Sequence, residues 1–536
     1  MREPHESRKS GRYQQMSDDL DYLLEGLDAS QSTAIRTPSV VKFGKQALDR
    51  EFRSFLRSDN KLNAVLGHLK DAHMDEMLCL VTAAAMLVVC RDSRLSIGNE
   101  GLHLLMQLFG ARFETDTKKA VSMLERKKKQ IRMRKRNTIL AQLQEILAGT
   151  HLEHPFAGTA DIKNSELALE AICCIVSGEQ TSMAMDAIQN ELRFMGSLER
   201  IVTSLDELVQ QVAASPARMQ SGHIGRYQSI ERHLRALKGS MKRNDSNQNY
   251  LVCLLDAKLV KCLRELLATT EAYLDQAAAA SGGSGGGGDD GGEGGEGGEG
   301  GEGSADGAAA AAGPADTALG PDPEQAPLLS AMGECICGGF NVLLALTNDN
   351  DTGCSTFGDD ESLQTVVKLA MQHTAKLPVN FRHDVLALGL TLLINLTEHN
   401  ATNRESIIDA TLTRPGGDRE LALLPALAAT FTEITAVQEG KATGTSTEQT
   451  FENIGAAYVG ILMGCLCQDN DGNAAVLLDL LPDGTFDVVI SHLEDYVYFQ
   501  QAAGVGQSDS GSVEKLIAVL RGTRGASRSN PVLLTV

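Results

Sequence analysis

Apolar positions fall at helical spacing along most of this chain, and several runs are apolar on every side. Leu20, Leu23, Leu24 and Leu27 set out a first amphipathic helix from about Asp18, closed near Gly26 by a Ser/Thr-rich turn. Phe52, Phe55 and Leu56 predict a second helix; Leu62, Val65, Leu66 and Leu69 predict a third, and the stretch from Met77 to Cys90 a fourth. Leu102 to Leu108, Leu167 to Val176, Leu198 to Val209 and Leu251 to Leu267 continue the series, with no convincing β pattern between them. The expected class is all-α.

In the second half one helix ending recurs. Leu346-Thr347 is followed by Asn350, Leu396-Thr397 by Asn400 and Asn403, and Leu466-Cys467 by Asn470 and Asn473. The runs before these turns (Val342 to Leu346, Leu386 to Leu396, Tyr458 to Leu466) are apolar nearly all round, which predicts helices covered on every side. Asn suits both the left-handed close of one helix and the N-cap of the next. Such units stack into an α-solenoid of irregular HEAT or armadillo-like repeats, an architecture that offers a long surface to other proteins.

Composition adds the organisation. With 536 residues, 42% hydrophobic content and 13 Pro, the chain can bury several stacked cores. Residues 1–16 read as a flexible tail, 17–275 as the first helical half, 328–524 as the second, and 525–536 as a second tail. Between the halves, 276–327 is an acidic Gly/Ala-rich linker in which Asp289, Asp290, Glu293, Glu296, Glu299 and Glu302 stand among glycines. Glycine carries the largest ordering cost and these carboxylates repel, so the linker is expected to be extended and disordered. No Lys-Ser or Lys-Thr follows the glycines, which excludes a phosphate-cradling loop.

A net charge of −21 argues against a surface made for nucleic acid or anionic membrane, save at a local basic patch. One such patch exists. Eight of the eleven residues from Arg126 to Arg136 are basic: Arg126, Lys127, Lys128, Lys129, Arg132, Arg134, Lys135 and Arg136. The run reads as a nuclear-import or DNA-contact segment, or equally as the solvated end of a long helix. No aromatic residue interleaves with it, so stacking on single strands is not expected.

Eleven cysteines make an odd count, and Cys79, Cys90, Cys173, Cys174, Cys253 and Cys262 lie in apolar helical runs, as small buried hydrophobes of a reducing compartment. Met1 to Gln15 lacks the apolar stretch of a signal peptide, and no apolar segment of spanning length is free of charge. A cytosolic or nuclear protein is expected. Cys335 with Cys337, Cys465 with Cys467, and His151 with His154 are poor metal ligands, because the cysteine pairs are spaced two apart within helices. No nucleophile elbow or comparable motif supplies a catalytic thiol or hydroxyl with a base. No catalytic residue, cofactor, metal or small-molecule substrate is expected.

Blocks distributed over nearly the whole chain resemble one family. Asp19-Leu20-Asp21-Tyr22-Leu23-Leu24-Glu25-Gly26-Leu27, Ile35-Arg36 and Phe52-Arg53 with Leu56-Arg57 are similar to the start of the C-terminal domain of Wapl, the Wings apart-like cohesin release factors. Thr82-Ala83-Ala84, Arg91-Asp92, Glu191-Leu192-Arg193 and Asn247-Gln248-Asn249-Tyr250-Leu251 continue the likeness. So do Leu346 to Asn350, Leu392 to Leu396 with Asn403-Arg404, Gly464 to Gln468, and Leu481-Pro482-Asp483-Gly484. The resemblance implies a non-enzymatic nuclear protein, partly cytoplasmic, that binds cohesin through its kleisin, SMC heads and HEAT-repeat accessory subunits. It would favour opening of the gate between SMC head and kleisin. The resemblance also implies that Asp19, Tyr22, Glu25, Arg36, Asn403, Ile454 and Tyr458 face cohesin. The chain departs from animal members of the family in having no Phe-Gly-Phe docking motif, since Phe43-Gly44-Lys45 and Phe109-Gly110-Ala111 differ from it. The alternative is a general armadillo or HEAT adaptor, catenin-like or for nuclear import; the absence of Trp weakens the import form.

Overall fold

In a computed structural model, this pattern of all-round apolar helices becomes a solenoid in which every third helix is the buried one. The structure describes residues 4–92, 97–113, 123–150, 152, 156, 162–179, 181–214, 221–282, 325–413, 420–440, 447–502 and 507–523. The acidic part of the linker, 283–324, and His151 with His154 lie outside the described residues.

Helix α1 (Pro4–Leu27) precedes seven groups of three among the described residues. The first is α2 (Thr33–Ala47), α3 (Arg50–Leu56) and α4 (Lys61–His68); the second α5 (Glu76–Cys90), α6 (Gly98–Gly110) and α7 (Met123–Ala148). The third is α8 (Asn164–Ser177), α9 (Ser182–Phe194) and α10 (Ser197–Ala213); the fourth α11 (Ser221–Met241), α12 (Asp245–Cys253) and α13 (Lys258–Gly282). Next come α14 (Ala326–Thr347), α15 (Asp351–Phe357) and α16 (Asp360–Val367), then α17 (Val379–Glu398), α18 (Ala401–Ile408) and α19 (Leu423–Gly440). The last group is α20 (Thr447–Cys467), α21 (Asp471–Leu480) and α22 (Asp487–Ala502), and α23 (Gln507–Gly522) closes the row.

The first helix of each group packs on the first helix of the next, so α2, α5, α8, α11, α14, α17 and α20 form one continuous spine. The spine explains the apolar runs. From Leu78 to Cys90 every residue of α5 is buried, because neighbours cover it on all sides. Helix α14 is long and apolar enough to cross a membrane by length and composition, yet Glu334 interrupts it and it packs between α11 and α17. Its apolarity is that of a core helix.

Four spine helices end in one and the same turn. After α11, α14, α17 and α20 the residues Asn244, Asn350, Asn400 and Asn470 each accept a hydrogen bond from the backbone three positions on, capping the short helix that follows. In three copies the residue at that third position is also Asn, and its amide reaches back into the turn. Asn247, Asn403 and Asn473 donate to the carbonyls of Ser240, Leu396 and Leu466 at 2.8, 2.9 and 2.8 Å. These are carbonyls of the last helical turn that have no partner inside the helix. In the copy after α14 the position is Gly353, where any Cβ would collide with the Leu346 carbonyl oxygen.

Several sequence expectations change. The first helix begins at Pro4 rather than near Asp18; Tyr13 packs edge-on against Phe55 at 5.1 Å, which gives this polar stretch something to fold onto. The single run from Leu251 to Leu267 is two helices, broken where Leu255, Asp256 and Ala257 take left-handed conformations that no glycine announces. A short antiparallel pair, Thr411–Thr413 with Glu420–Ala422, interrupts the helices before α19. Helices α13 and α14 run into the segment read as linker, ending at Gly282 and starting at Ala326. Cys253, expected inside, is exposed, and Cys174 is half-buried.

Candidate functional site

The residues singled out by sequence fall on three surfaces, on α1, α7 and α20, and in two interiors. On α1 the apolar side, Leu20, Leu23 and Leu27, is buried, which turns the intervening positions outward. Asp18, Asp21, Tyr22 and Glu25 are exposed and Asp19 is half-buried; Tyr22 is 66% exposed. Lys42 lies 3.8 Å from the Asp19 carboxylate and 4.9 Å from the Tyr22 ring centre. The face is therefore anionic around one aromatic side chain, a chemistry that suits a cationic partner surface. Asp18 and Asp21 complete it. Their place could be read from the spacing of Leu20 and Leu23, which fixes the outward side.

Arg36 lies beneath this face and not on it, only 3% exposed. Its guanidinium donates to the Leu27 carbonyl at 3.2 Å, to the His68 carbonyl at 2.8 Å, and to both Asp71 oxygens at 2.8 and 2.6 Å. The bidentate bond raises the Arg36 pKa and lowers that of Asp71. Arg36 thereby ties the last turn of α1 to the loop after α4. It positions the acidic face rather than contributing to it.

Asn403 is likewise inside. It is 2% exposed and committed to the Leu396 and Cys354 carbonyls. Ile454 and Tyr458 on α20 are half-buried, and Tyr458 meets Tyr496 edge-on with ring centres 5.9 Å apart. From Ala456 to Cys467, Tyr458 is the one residue of that helix that is not fully buried. Helix α1 contacts α2, α3 and α4, whereas α20 contacts α17, α19, α21, α22 and α23, so the two surfaces stand at opposite ends of the spine. The structure does not bring them together.

The basic run lies on α7. Lys127, Arg134 and Lys135 are exposed, while Arg136 turns inward to Glu76 at 3.0 Å. The side chains of Arg126, Lys128, Lys129 and Arg132 lie outside the described residues.

Reactive chemistry finds no foothold at the buried thiols. All eleven cysteines are free, and burial pushes the thiol pKa up, to about 12 at Cys79 and Cys465 and about 11 at Cys354. Glu271, Asp275 and His373 bring donor atoms within 4.8 Å of one another, the kind of cluster that can hold a metal. Lys368 sits 2.8 Å from Glu271 and Lys376 3.5 Å from Asp275, so two ammonium groups already balance the two carboxylates. The Nε2 of the buried His373 ring lies 3.4 Å from the Asp275 carboxylate but neither ring nitrogen makes a hydrogen bond, and burial first, then Lys376, lowers its pKa. A dication entering this cluster would meet two like charges. It is an ionic clasp between α13 and the π-helical turn at Lys368–Gln372.

Comparison with known proteins supplies what geometry alone cannot. The sequence pattern of the family described as "Wings apart-like protein regulation of heterochromatin" matches residues 1–403. The chain is 24% identical to the human Wings apart-like protein homolog, over 95% of this chain and 45% of that protein. It is 22% identical to the Drosophila melanogaster protein wings apart-like, over 92% of this chain and 28% of that one. It thus spans less than half the length of these curated relatives. Among solved structures, Uso1-2 overlaps 95% of this chain and 73% of its own at 12% identity and a TM-score of 0.40, and the SYS-1/POP-1 complex 94% and 80% at 10% identity and 0.37. By the match over residues 1–403, the chain belongs to the Wings apart-like family of regulatory proteins.

Proposed function

We propose that this chain is a non-catalytic cohesin-binding regulator that promotes release of cohesin from chromatin, acting in the nucleus. Family membership supports this reading, and the carrying observation is the anionic face of α1, where Asp18, Asp19, Asp21 and Glu25 surround the exposed Tyr22. An exposed tyrosine is a residue type that anchors protein-binding hot spots, and the carboxylates around it would steer a cationic partner surface. The chain would act by gripping one state of the cohesin ring more tightly than another, favouring the open gate between SMC head and kleisin. A partner that held both states equally would shift nothing. Arg36 keeps the α1 face in place, and Ile454 with Tyr458 would offer a second contact at the far end.

Pull-down of cohesin's kleisin and accessory subunits tests the reading, with crosslinking mass spectrometry to locate the contacts. Tyr22→Ala with Glu25→Lys is expected to weaken capture at least about tenfold, as a lost hot spot does, with an unchanged melting temperature. Ile454→Glu probes the other end in the same assay. Full capture by both variants would overturn the proposed surfaces, and no capture by the unaltered chain would overturn the partner.

A further inference from the structure

Helix α7 is anchored in the solenoid by its second half, while its first half stands largely exposed. From Leu140 onward it is anchored: Leu140, Leu143, Ile146 and Leu147 are buried, against α5 and α2. Before that point Lys127, Gln130, Ile131, Met133, Arg134, Lys135, Asn137 and Thr138 are all exposed. At about 100° per residue these positions sweep more than half the helix circumference. Arg136, paired with Glu76, marks the side toward the body. The stretch from Lys127 to Ile139 rises about 18 Å at 1.5 Å per residue. No carboxylate occurs between Glu125 and Glu145, so a chain carrying −21 overall gathers eight cations and no acid in one stretch of its sequence, with Lys127, Arg134 and Lys135 exposed.

We infer that this rod is a binding arm for duplex DNA, inserted into a groove and held by backbone phosphates without sequence readout. Three features favour this partner. A major groove is about 12 Å wide, admits an α-helix and flanks it with phosphates, which suits a rod exposed over more than half its circumference with Lys127, Arg134 and Lys135 along one side of it. An anionic membrane instead takes a helix with one apolar face, and here the exposed apolar residues Ile131 and Met133 are two positions apart and so point nearly oppositely. Finally, the acidic remainder of the molecule repels phosphates, which confines contact to the arm and makes binding depend on its few exposed cations.

The test is fluorescence anisotropy of a labelled mixed-sequence duplex titrated with the full chain across a salt series. A triple variant, Lys127→Glu, Arg134→Glu and Lys135→Glu, is expected to weaken binding more than about tenfold at 0.1 M salt; a Gln series at the same positions should flatten the log–log salt slope by about 1 for each phosphate-neutralising cation removed. Both sets lie on exposed positions, so the melting temperature should not move. The inference is overturned if the unaltered chain binds no duplex at 0.1 M salt or if the triple variant binds as well as the unaltered chain. Tighter binding to phosphatidylserine vesicles than to duplex also overturns it. So does loss of nuclear accumulation in cells with duplex affinity intact, which would make the run an import signal.

Discussion

The early and late repeats of this solenoid solve one problem by two means. Each spine helix must end inside a crowded stack, with last-turn carbonyls that need partners. In the late repeats the partner is a short buried amide: Asn403 serves the Leu396 and Cys354 carbonyls from within the turn, and Asn247 and Asn473 do the same in their copies. In the first repeat it is a long cation from the rim. Arg53 donates to the Ala47 and Leu48 carbonyls at 2.8 Å each and pairs with Asp92 at 3.1 Å. The repeat after α17 uses both, since Arg404 donates to the Thr397 and Glu398 carbonyls at 2.8 and 3.1 Å above Asn403. A neutral amide fixes the turn by shape; a guanidinium fixes it by charge, across a wider range of spacings.

The strongest way to break this comparison is to force the deviant late copy into the common form. Sequence averaging favours Gly353→Asn, which restores the Asn pair. Its Cβ would strike the Leu346 backbone oxygen, and a backbone atom cannot swing aside as a side chain can. The substitution is therefore expected to destabilise by about 3 kcal/mol in urea unfolding, as overpacking does. Equal or greater stability would show that the α15 turn can open to the geometry of its neighbours.

The same position shows how much was legible in the sequence. The spine helices α5, α8, α14, α17 and α20 and three of the four Asn turns could be read, because an all-round apolar run followed by Asn leaves few other structures; α2 and α11 could not, because polar residues such as Lys42 and Arg235 interrupt their apolar pattern. The fourth turn, at Asn244 and Asn247, escaped because the last turn of α11 reads Lys238-Gly239-Ser240-Met241 and lacks the apolar run that announces the other three. Tyr22 and Glu25 could be placed outside from the spacing of Leu20, Leu23 and Leu27. Arg36 and Asn403 could not be placed inside, since residue type favours the surface for both and only the tertiary partners, Asp71 and the Cys354 carbonyl, reverse that. Breaks without glycine, such as Leu255 to Ala257, leave no signal in composition.

A pair of truncations sharpens the contrast between amide and cation. Asn403→Ala deprives the buried Leu396 carbonyl of its donor and the Cys354 carbonyl, which also accepts from the Gly358 N–H, of its second, and is expected to cost about 2 kcal/mol, at low and high salt alike. Arg53→Met removes two hydrogen bonds to carbonyls and an ion pair at the rim, for about 1.5 kcal/mol at low salt. Because Arg53 is partly exposed, its effect should shrink as salt rises to about 1 M, where screening reaches within a few ångströms. Matching salt profiles for the two variants would erase the distinction.

Acid separates the two devices by the smallest step. Amides do not titrate, so the Asn turns are indifferent to pH, whereas the clasp at α13 contains His373, whose neutral ring is fully buried. Asp275 favours the charged ring, but burial and the ammonium groups of Lys376 and Lys368 outweigh it, and the pKa falls below the ordinary histidine value. The unfolded chain therefore takes up the proton first. Stability is whole above about pH 6.5 and is lost as pH falls toward the folded value, by at most about 1.4 kcal/mol per unit for one ring. Burial lowers His233 and His223 in the same direction, so the unaltered chain sums several such losses. His373→Leu removes one of them, and because neither ring nitrogen is hydrogen-bonded, it is expected to leave stability at about pH 7.5 nearly unchanged while flattening the decline toward about pH 5 in urea unfolding. An unchanged decline would mean that His373 does not sense acid in the folded protein, and would leave His233 and His223, both on α11, as its source.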